Sequence, residues 1–183
     1  WPSGLKGRRR PAFLGPVFRP DNMNTVRLLS ADTGQPIGAP FATGHTGGVD
    51  HIVFSGDGRR LATAGWRQTS VQVWDLARGQ LVRAPLDTPD IVTSVALSPD
   101  GQRLATGGAD GPRSGELSTV RIWDVDTGRL LTGPLEGQSG QTTELAFSPD
   151  GQRLASGTLD GYLQLWDANT GRPVGSSSDP VSY

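Results

Sequence analysis

The feature that most constrains this chain is that it repeats itself. From Val49 it reads VDHIVFSGDGRRLATAG and closes with VQVWDLARG from Val71. From Val92 it reads VTSVALSPDGQRLATGGADG and closes with VRIWDVDTG from Val120. From Thr142 it reads TTELAFSPDGQRLASGTLDG and closes with LQLWDANTG from Leu163. The pairs Trp74-Asp75, Trp123-Asp124 and Trp166-Asp167 are spaced 49 and 43 residues apart. A fainter copy of the closing segment, VRLLSADTG from Val26 to Gly34, places Leu29 45 residues ahead of Trp74. Self-similarity at such a period means a stack of small units, each burying its apolar face only against a neighbour.

Inside each period the residues specify short strands. His51-Ile52-Val53-Phe54, Ser94-Val95-Ala96-Leu97 and Glu144-Leu145-Ala146-Phe147 are apolar at three of four positions, which suits strands buried on both faces. Ser-Gly-Asp-Gly at 55–58 and Ser-Pro-Asp-Gly at 98–101 and 148–151 are tight turns. The Asp bonds its own backbone and the Gly accepts a positive φ. Asp126-Thr127-Gly128 and Asn169-Thr170-Gly171 turn the next pair of strands. With 26 Gly and 14 Pro in 183 residues, long helices are not expected. Each period is an antiparallel meander of four strands, a to d.

Little else carries chemistry. There is no cysteine, which excludes disulfides, thiolate metal sites and a thiol nucleophile. No apolar run approaches the roughly 18 residues of a membrane span, and no signal peptide is legible, so a cytoplasmic location is expected. The first twenty residues hold Lys6, Arg8, Arg9, Arg10 and Arg19 and no acid, ahead of a mildly acidic body. A basic arm can touch nucleic acid. With only Phe13 and Phe18 interleaved there is no stacking platform, and a solvated arm is the expectation. His45 with Asp110 or Asp160 is half a triad without a nucleophile elbow. Asp124-x-Asp126-x-Gly128 lacks the later residues of a calcium loop, and Gly107-Gly108-Ala109-Asp110-Gly111 lacks the Lys and Ser/Thr of a phosphate loop. No catalytic, cofactor or metal residues are expected.

The period, the four strands per period and the Trp-Asp dipeptides together resemble the WD-repeat β-propeller family, over about residues 24–175, in its bacterial form. The resemblance implies an all-β chain of propeller blades, about three and a half of them, in an open ring. Residues 1–23 would be a basic, poorly ordered arm with a strand remnant at Pro16–Asn22. Residues 24–43 would form a partial blade, and 44–86, 87–135 and 136–183 full ones. The chain opens on Trp1, so a fragment of a longer protein is expected.

The family's hydrogen-bonded set joins a His before strand a, a Ser or Thr on strand b, an Asp in the b–c turn and the Trp on strand c. Carried over, the first repeat supplies His45, Thr63 and Trp74, with Arg67 at the Asp position. The second supplies Thr106, Asp110 and Trp123, with Pro89 at the His position. The third supplies Ser156, Asp160 and Trp166, with Gln138 at the His position. No repeat holds the whole set, so blades less rigid than the family's best are expected.

The family's partner contacts map to Gly48, Asp50 and Trp66, to Ile91, Thr93 and Ala109, and to Gln141, Thr143 and Leu159. Trp66, Ile91 and Leu159 are large and apolar and would form an anchor patch led by Trp66. The alternative is that Trp66 folds over the turn that lacks its Asp. The insertion Pro112 to Ser118 would lengthen the same rim. The implied function is a non-enzymatic protein-interaction scaffold, part of a larger signalling or regulatory chain, with unknown protein partners and self-association through uncovered end blades. The competing readings are a ligand-binding or enzymatic propeller and a truncated remnant without a function of its own.

Overall fold

The computed structural model describes residues 11–12, 24–109, 118–135 and 140–177. Every regular element among them is a strand. Four come first: β1 (Pro11–Ala12), β2 (Thr25–Val26), β3 (Leu29–Ser30) and β4 (Phe41–Ala42). The first full blade holds β5 (Val49–Phe54), β6 (Arg60–Gly65), β7 (Ser70–Asp75), β8 (Gln80–Leu81) and β9 (Leu86–Asp87). The second holds β10 (Ile91–Leu97), β11 (Arg103–Ala109), β12 (Ser118–Asp124) and β13 (Leu130–Thr132). The third holds β14 (Thr142–Phe147), β15 (Arg153–Thr158), β16 (Leu163–Asp167) and β17 (Pro173–Ser177).

Each full blade is an antiparallel meander in chain order, and in the first both β8 and β9 pair with β7. Ahead of them β2 pairs with β4, and β3 with β1. Pro11–Ala12 therefore takes the place beside β3 that strand b has in the full blades, inside the arm expected to be poorly ordered. The strand expected at Pro16–Asn22 lies outside the described residues, as do Asp110, Gln138 and all of the insertion except Ser118, which opens β12.

The turns are built alike. Ser55, Ser98 and Ser148 donate Oγ–H to Asp57, Asp100 and Asp150 at 2.6, 2.5 and 2.5 Å. Each Asp accepts the backbone N–H two residues on, from Arg59, Gln102 and Gln152. Each Ser Oγ accepts the N–H that opens the next strand, from Arg60, Arg103 and Arg153, at 2.9 Å. Gly58, Gly101 and Gly151 close the turns at φ of 69°, 71° and 70°, where a Cβ would be strained. The Asp after each Trp does the same for the c–d turn: Asp75 accepts from Ala77 and Arg78, Asp124 from Thr127, Asp167 from Asn169 and Thr170.

The core lies between blades rather than within them. Val26, Leu28 and Phe41 pack on Leu61 and Trp74 of the first blade. Ala62, Ala64, Val71 and Val73 of the first pack on Val92, Val95, Leu104 and Trp123 of the second. Ala105, Val120 and Ile122 of the second pack on Leu145, Leu154 and Trp166 of the third. The strands of the first and second blades are apolar on both faces because each has a neighbour on both sides. Arginines clip the seams: Arg60 donates to Gly101 O at 2.9 Å and Asp126 Oδ1 at 2.8 Å, and Arg103 donates to Gly151 O and, at 3.0 Å, to Asn169 Oδ1.

Candidate functional site

Two features of each blade converge at the end bearing the d–a and b–c connections: a buried polar set and, above it, a rim. In the first blade the set forms one continuous chain of hydrogen bonds. Trp74 Nε1–H donates to Thr63 Oγ1 at 3.2 Å, and Thr63 lies 3.1 Å from His45 Nε2. His45 Nδ1 lies 2.7 Å from Gln68 Oε1. An amide oxygen only accepts, so Nδ1 carries a proton. Gln68 Nε2 donates onward to Thr46 Oγ1 at 2.8 Å. Burial lowers the His45 pKa below its ordinary 6.5, opposed by the bond to Gln68.

Gln68 was not anticipated from the sequence, where Arg67 holds the Asp position. Arg67 adopts φ 55°, in the left-handed region, and this turn delivers the next residue beneath the histidine. The first repeat, whose Asp position is held by Arg67 as the sequence shows, thus has the Gln68 amide on His45 where the family pattern has an acid.

In the second blade Trp123 Nε1–H donates to Thr106 Oγ1 at 2.9 Å. The histidine's place is filled by Asp90, not Pro89. Thr43 Oγ1 donates to Asn24 O and Thr88 Oγ1 to Thr69 O, so Thr88 corresponds to Thr43 and Asp90 to His45. Pro89 is exposed while Asp90 is buried. Asp90 Oδ2 accepts from Thr119 Oγ1 at 2.6 Å and from Arg121 Nη1. Gly108 makes room: a Cβ there would come within 2.7 Å of Asp90 Cβ. A buried carboxylate needs such a cation. The signal in the sequence was a lone acid between Pro89 and a strand, obscured because the d–a connection is two residues shorter than in the first repeat.

In the third blade Trp166 Nε1–H reaches Ser156 Oγ directly at 2.8 Å, both side chains fully buried. Asp160, expected to bridge them, stands exposed on the turn with its carboxylate against Gly140.

The rim positions meet in pairs. Trp66 N–H donates to Gly48 O at 3.3 Å, Ile91 registers with Ala109, and Leu159 N–H donates to Gln141 O at 2.9 Å. Asp50, Thr93 and Thr143 are the bulged residues of strand a, at register breaks between Val49 and His51, Val92 and Ser94, and Thr142 and Glu144. A bulge leaves one residue unpaired and re-aims it. Trp66 is 59% exposed and Leu159 75%, with the Arg67 guanidinium 5.6 Å from the indole centroid. Ile91 is half-buried. Among the described residues no three His, Asp or Glu side chains are grouped so as to hold a metal ion, and no helix is long and apolar enough to cross a membrane.

Four-stranded antiparallel units, packed side by side with a Trp-to-hydroxyl bond in each, define an incomplete β-propeller. The chain belongs to the WD-repeat family: the model for the WD domain, G-beta repeat, matches residues 38–75, 81–111 and 129–167. It is similar to the guanine nucleotide-binding protein subunit beta of Zea mays, 33% identical over 111 residues, covering 58% of this chain and 27% of the relative. The WD repeat-containing protein VIP3 of Arabidopsis thaliana is 32% identical over 136 residues, covering 67% and 36%. The small ribosomal subunit protein RACK1y of Oryza sativa subsp. japonica is 36% identical over 91 residues, covering 48% and 24%. The chain spans roughly a quarter to a third of these relatives' lengths.

Proposed function

We propose that the chain is a non-enzymatic scaffold that docks a protein partner on the rim carrying Gly48, Asp50, Trp66, Ile91, Thr93, Ala109, Gln141, Thr143 and Leu159, as part of a larger signalling or regulatory assembly. The observation that carries this reading is Trp66: a large aromatic ring, 59% exposed on a turn, with its backbone pinned to Gly48. Burying such a ring in a partner's pocket is where interface energy concentrates. Membership of a family that includes a G-protein β subunit and RACK1y supports a docking role. Self-association belongs to the same reading.

The test is capture of a partner by the immobilised chain, compared with Trp66→Ala. The variant should lose the partner and keep its melting temperature, since an exposed side chain contributes under about 0.5 kcal/mol to stability. A partner held equally well by the variant overturns the assignment.

A further inference from the structure

The dipeptide Asp-Gly stands at 57–58, 100–101, 110–111, 150–151 and 160–161, and all of these but Asp110-Gly111 lie among the described residues. At Asp-Gly the glycine has no side chain to shield its amide nitrogen, which can therefore approach the carboxyl carbon of the aspartate before it. The nitrogens do not distinguish the four described pairs. Gly58, Gly101, Gly151 and Gly161 each donate N–H to the carbonyl three residues back, at 2.9, 2.9, 2.8 and 3.1 Å. The carboxyl groups do. In Asp57, Asp100 and Asp150 one oxygen, Oδ1, accepts both a serine hydroxyl and the N–H two residues on, the latter at 3.0, 3.0 and 2.9 Å. A carboxylate held by two donors at one oxygen must give up that geometry when its carbon becomes tetrahedral. The same bonds favour the ionised form, from which water does not leave: at Asp150 those from Ser148 and Gln152 hold the pKa below 3.8.

Asp160 has no such restraint. Its carboxylate makes no hydrogen bond or ion pair among the described residues and lies against Gly140, where the missing Cβ leaves it room to turn. The residue is exposed. That exposure belongs to the b–c turn: Arg67, at the same place in the first blade and with packed neighbours on both sides of that blade, is exposed as well. The backbone around Asp160 is meanwhile fixed. Thr158 N–H donates to Tyr162 O at 3.0 Å and Leu159 N–H to Gln141 O at 2.9 Å. A free carboxyl group thus stands beside a glycine nitrogen on a well-held turn.

We propose that Asp160-Gly161 is a site of isoaspartate formation, and hence a methyl-acceptor site for a repair enzyme that recognises isoaspartate. The Gly161 nitrogen bonds to Asp160 Cγ, and its proton leaves with a carboxyl hydroxyl as water, closing a succinimide ring. Water then reopens the ring. Attack at Cγ restores the original chain. Attack at the main-chain carbonyl leaves the chain running through Cβ and Cγ, with the α-carboxylate as the new side group. Water is the only co-reactant, and nothing is oxidised or reduced. The rearranged backbone is one carbon longer between Leu159 and Gly161, on the rim and away from the buried seams. This modification needs no docked partner and stands apart from the docking reading.

Slow ageing of the folded chain at neutral pH tests this. The aged chain is digested, and its peptides are methylated by an isoaspartate-specific carboxyl methyltransferase with labelled S-adenosylmethionine. Label should accumulate on the Asp160 peptide at least about tenfold faster than on those of Asp57, Asp100 and Asp150, each of which must first lose two hydrogen bonds to a charged group. Asp160→Glu should abolish label there, because the larger glutamyl ring closes far more slowly. Ser148→Ala removes one donor from Asp150 and should raise its label about fivefold or more. Ageing in guanidinium chloride, where the turns are lost, should bring the four pairs to similar rates. Equal labelling of the four pairs in the folded chain, no label at Asp160, or an Asp150 indifferent to Ser148→Ala overturns the proposal. With no partner present, none of these outcomes bears on Trp66, whose capture assay tests the docking reading separately.

Discussion

The first and second blades solve one problem with different chemistry. Both bury a polar group where strand d passes into strand a, beneath a Trp bonded to a threonine. The first uses a neutral imidazole in a relay of Trp74, Thr63, His45 and Gln68. The second uses the Asp90 carboxylate held by Thr119 and Arg121, while Trp123 bonds Thr106. What the position demands is satisfaction of a buried polar group, not a particular residue. The consequences of breaking it differ: a relay loses hydrogen bonds, whereas an ion pair leaves a charge behind.

The largest expected effect lies in the second blade. Arg121→Met removes the cation that faces the buried Asp90 carboxylate and should cost about 3–5 kcal/mol. Adding Asp90→Leu should recover most of that loss, because an apolar pair replaces the charged one. A melting temperature for the single variant close to wild type would show that the pair is not buried in solution.

Next comes Thr63→Val in the first blade. Thr63 serves both Trp74 and His45, so its loss should cost about 2–4 kcal/mol, against about 1–3 for Thr106→Val, which serves Trp123. Equal losses measured by thermal unfolding would mean that the histidine bond contributes nothing.

Acid should separate the two blades further. The folded chain holds the His45 pKa below 6.5, so on acidification the unfolded chain takes a proton that the folded chain still refuses. Stability is therefore full above about pH 7 and falls as pH drops through 6.5 toward the lowered folded value. His45→Gln should flatten that dependence, and an unchanged pH profile of melting would remove His45 as its source. Asp100 and Asp150 act at lower pH. Burial works against Asp100, but bonds from Ser98 and Gln102 prevail, and for Asp150 the bond from Ser148 leads; both pKa values end below 3.8, so these turns loosen only on deeper acidification.

The smallest effect is expected in the third blade. Asp160→Ala should shift stability by no more than about 0.5 kcal/mol, since Asp160 is exposed and Trp166 bonds Ser156 without it. Ser156→Ala, which removes a fully buried acceptor, should cost about 1–3 kcal/mol. If the two variants melt alike, the bond set of this blade is misassigned.

Much of the fold was legible because its signals are local. The Ser-x-Asp-Gly turns, the three-of-four apolar strands and the Trp-Asp pairs each specify structure within a few residues, and their recurrence placed the blades. That Gly48 and Trp66, and Gln141 and Leu159, lie at the same end of their blades was legible in the same way, since they sit at fixed offsets from those turns. Gln68 and Asp90 were not. Gln68 depends on the positive φ of Arg67, and Asp90 on a shortened connection between strands d and a, so fixed offsets from the family pattern pointed to Arg67 and Pro89 instead.

By itself, then, the sequence determined the strands, their turns and the Trp-to-hydroxyl bond of each blade, because the interacting residues lie within one repeat. Only the tertiary structure decided which side chains complete the buried sets and which apolar faces are covered. Leu163 and Val120 occupy the same place in the repeat, yet one is 47% exposed and the other is fully buried. The difference is not in the residue but in the neighbour: the third blade covers Val120, and no described blade covers Leu163.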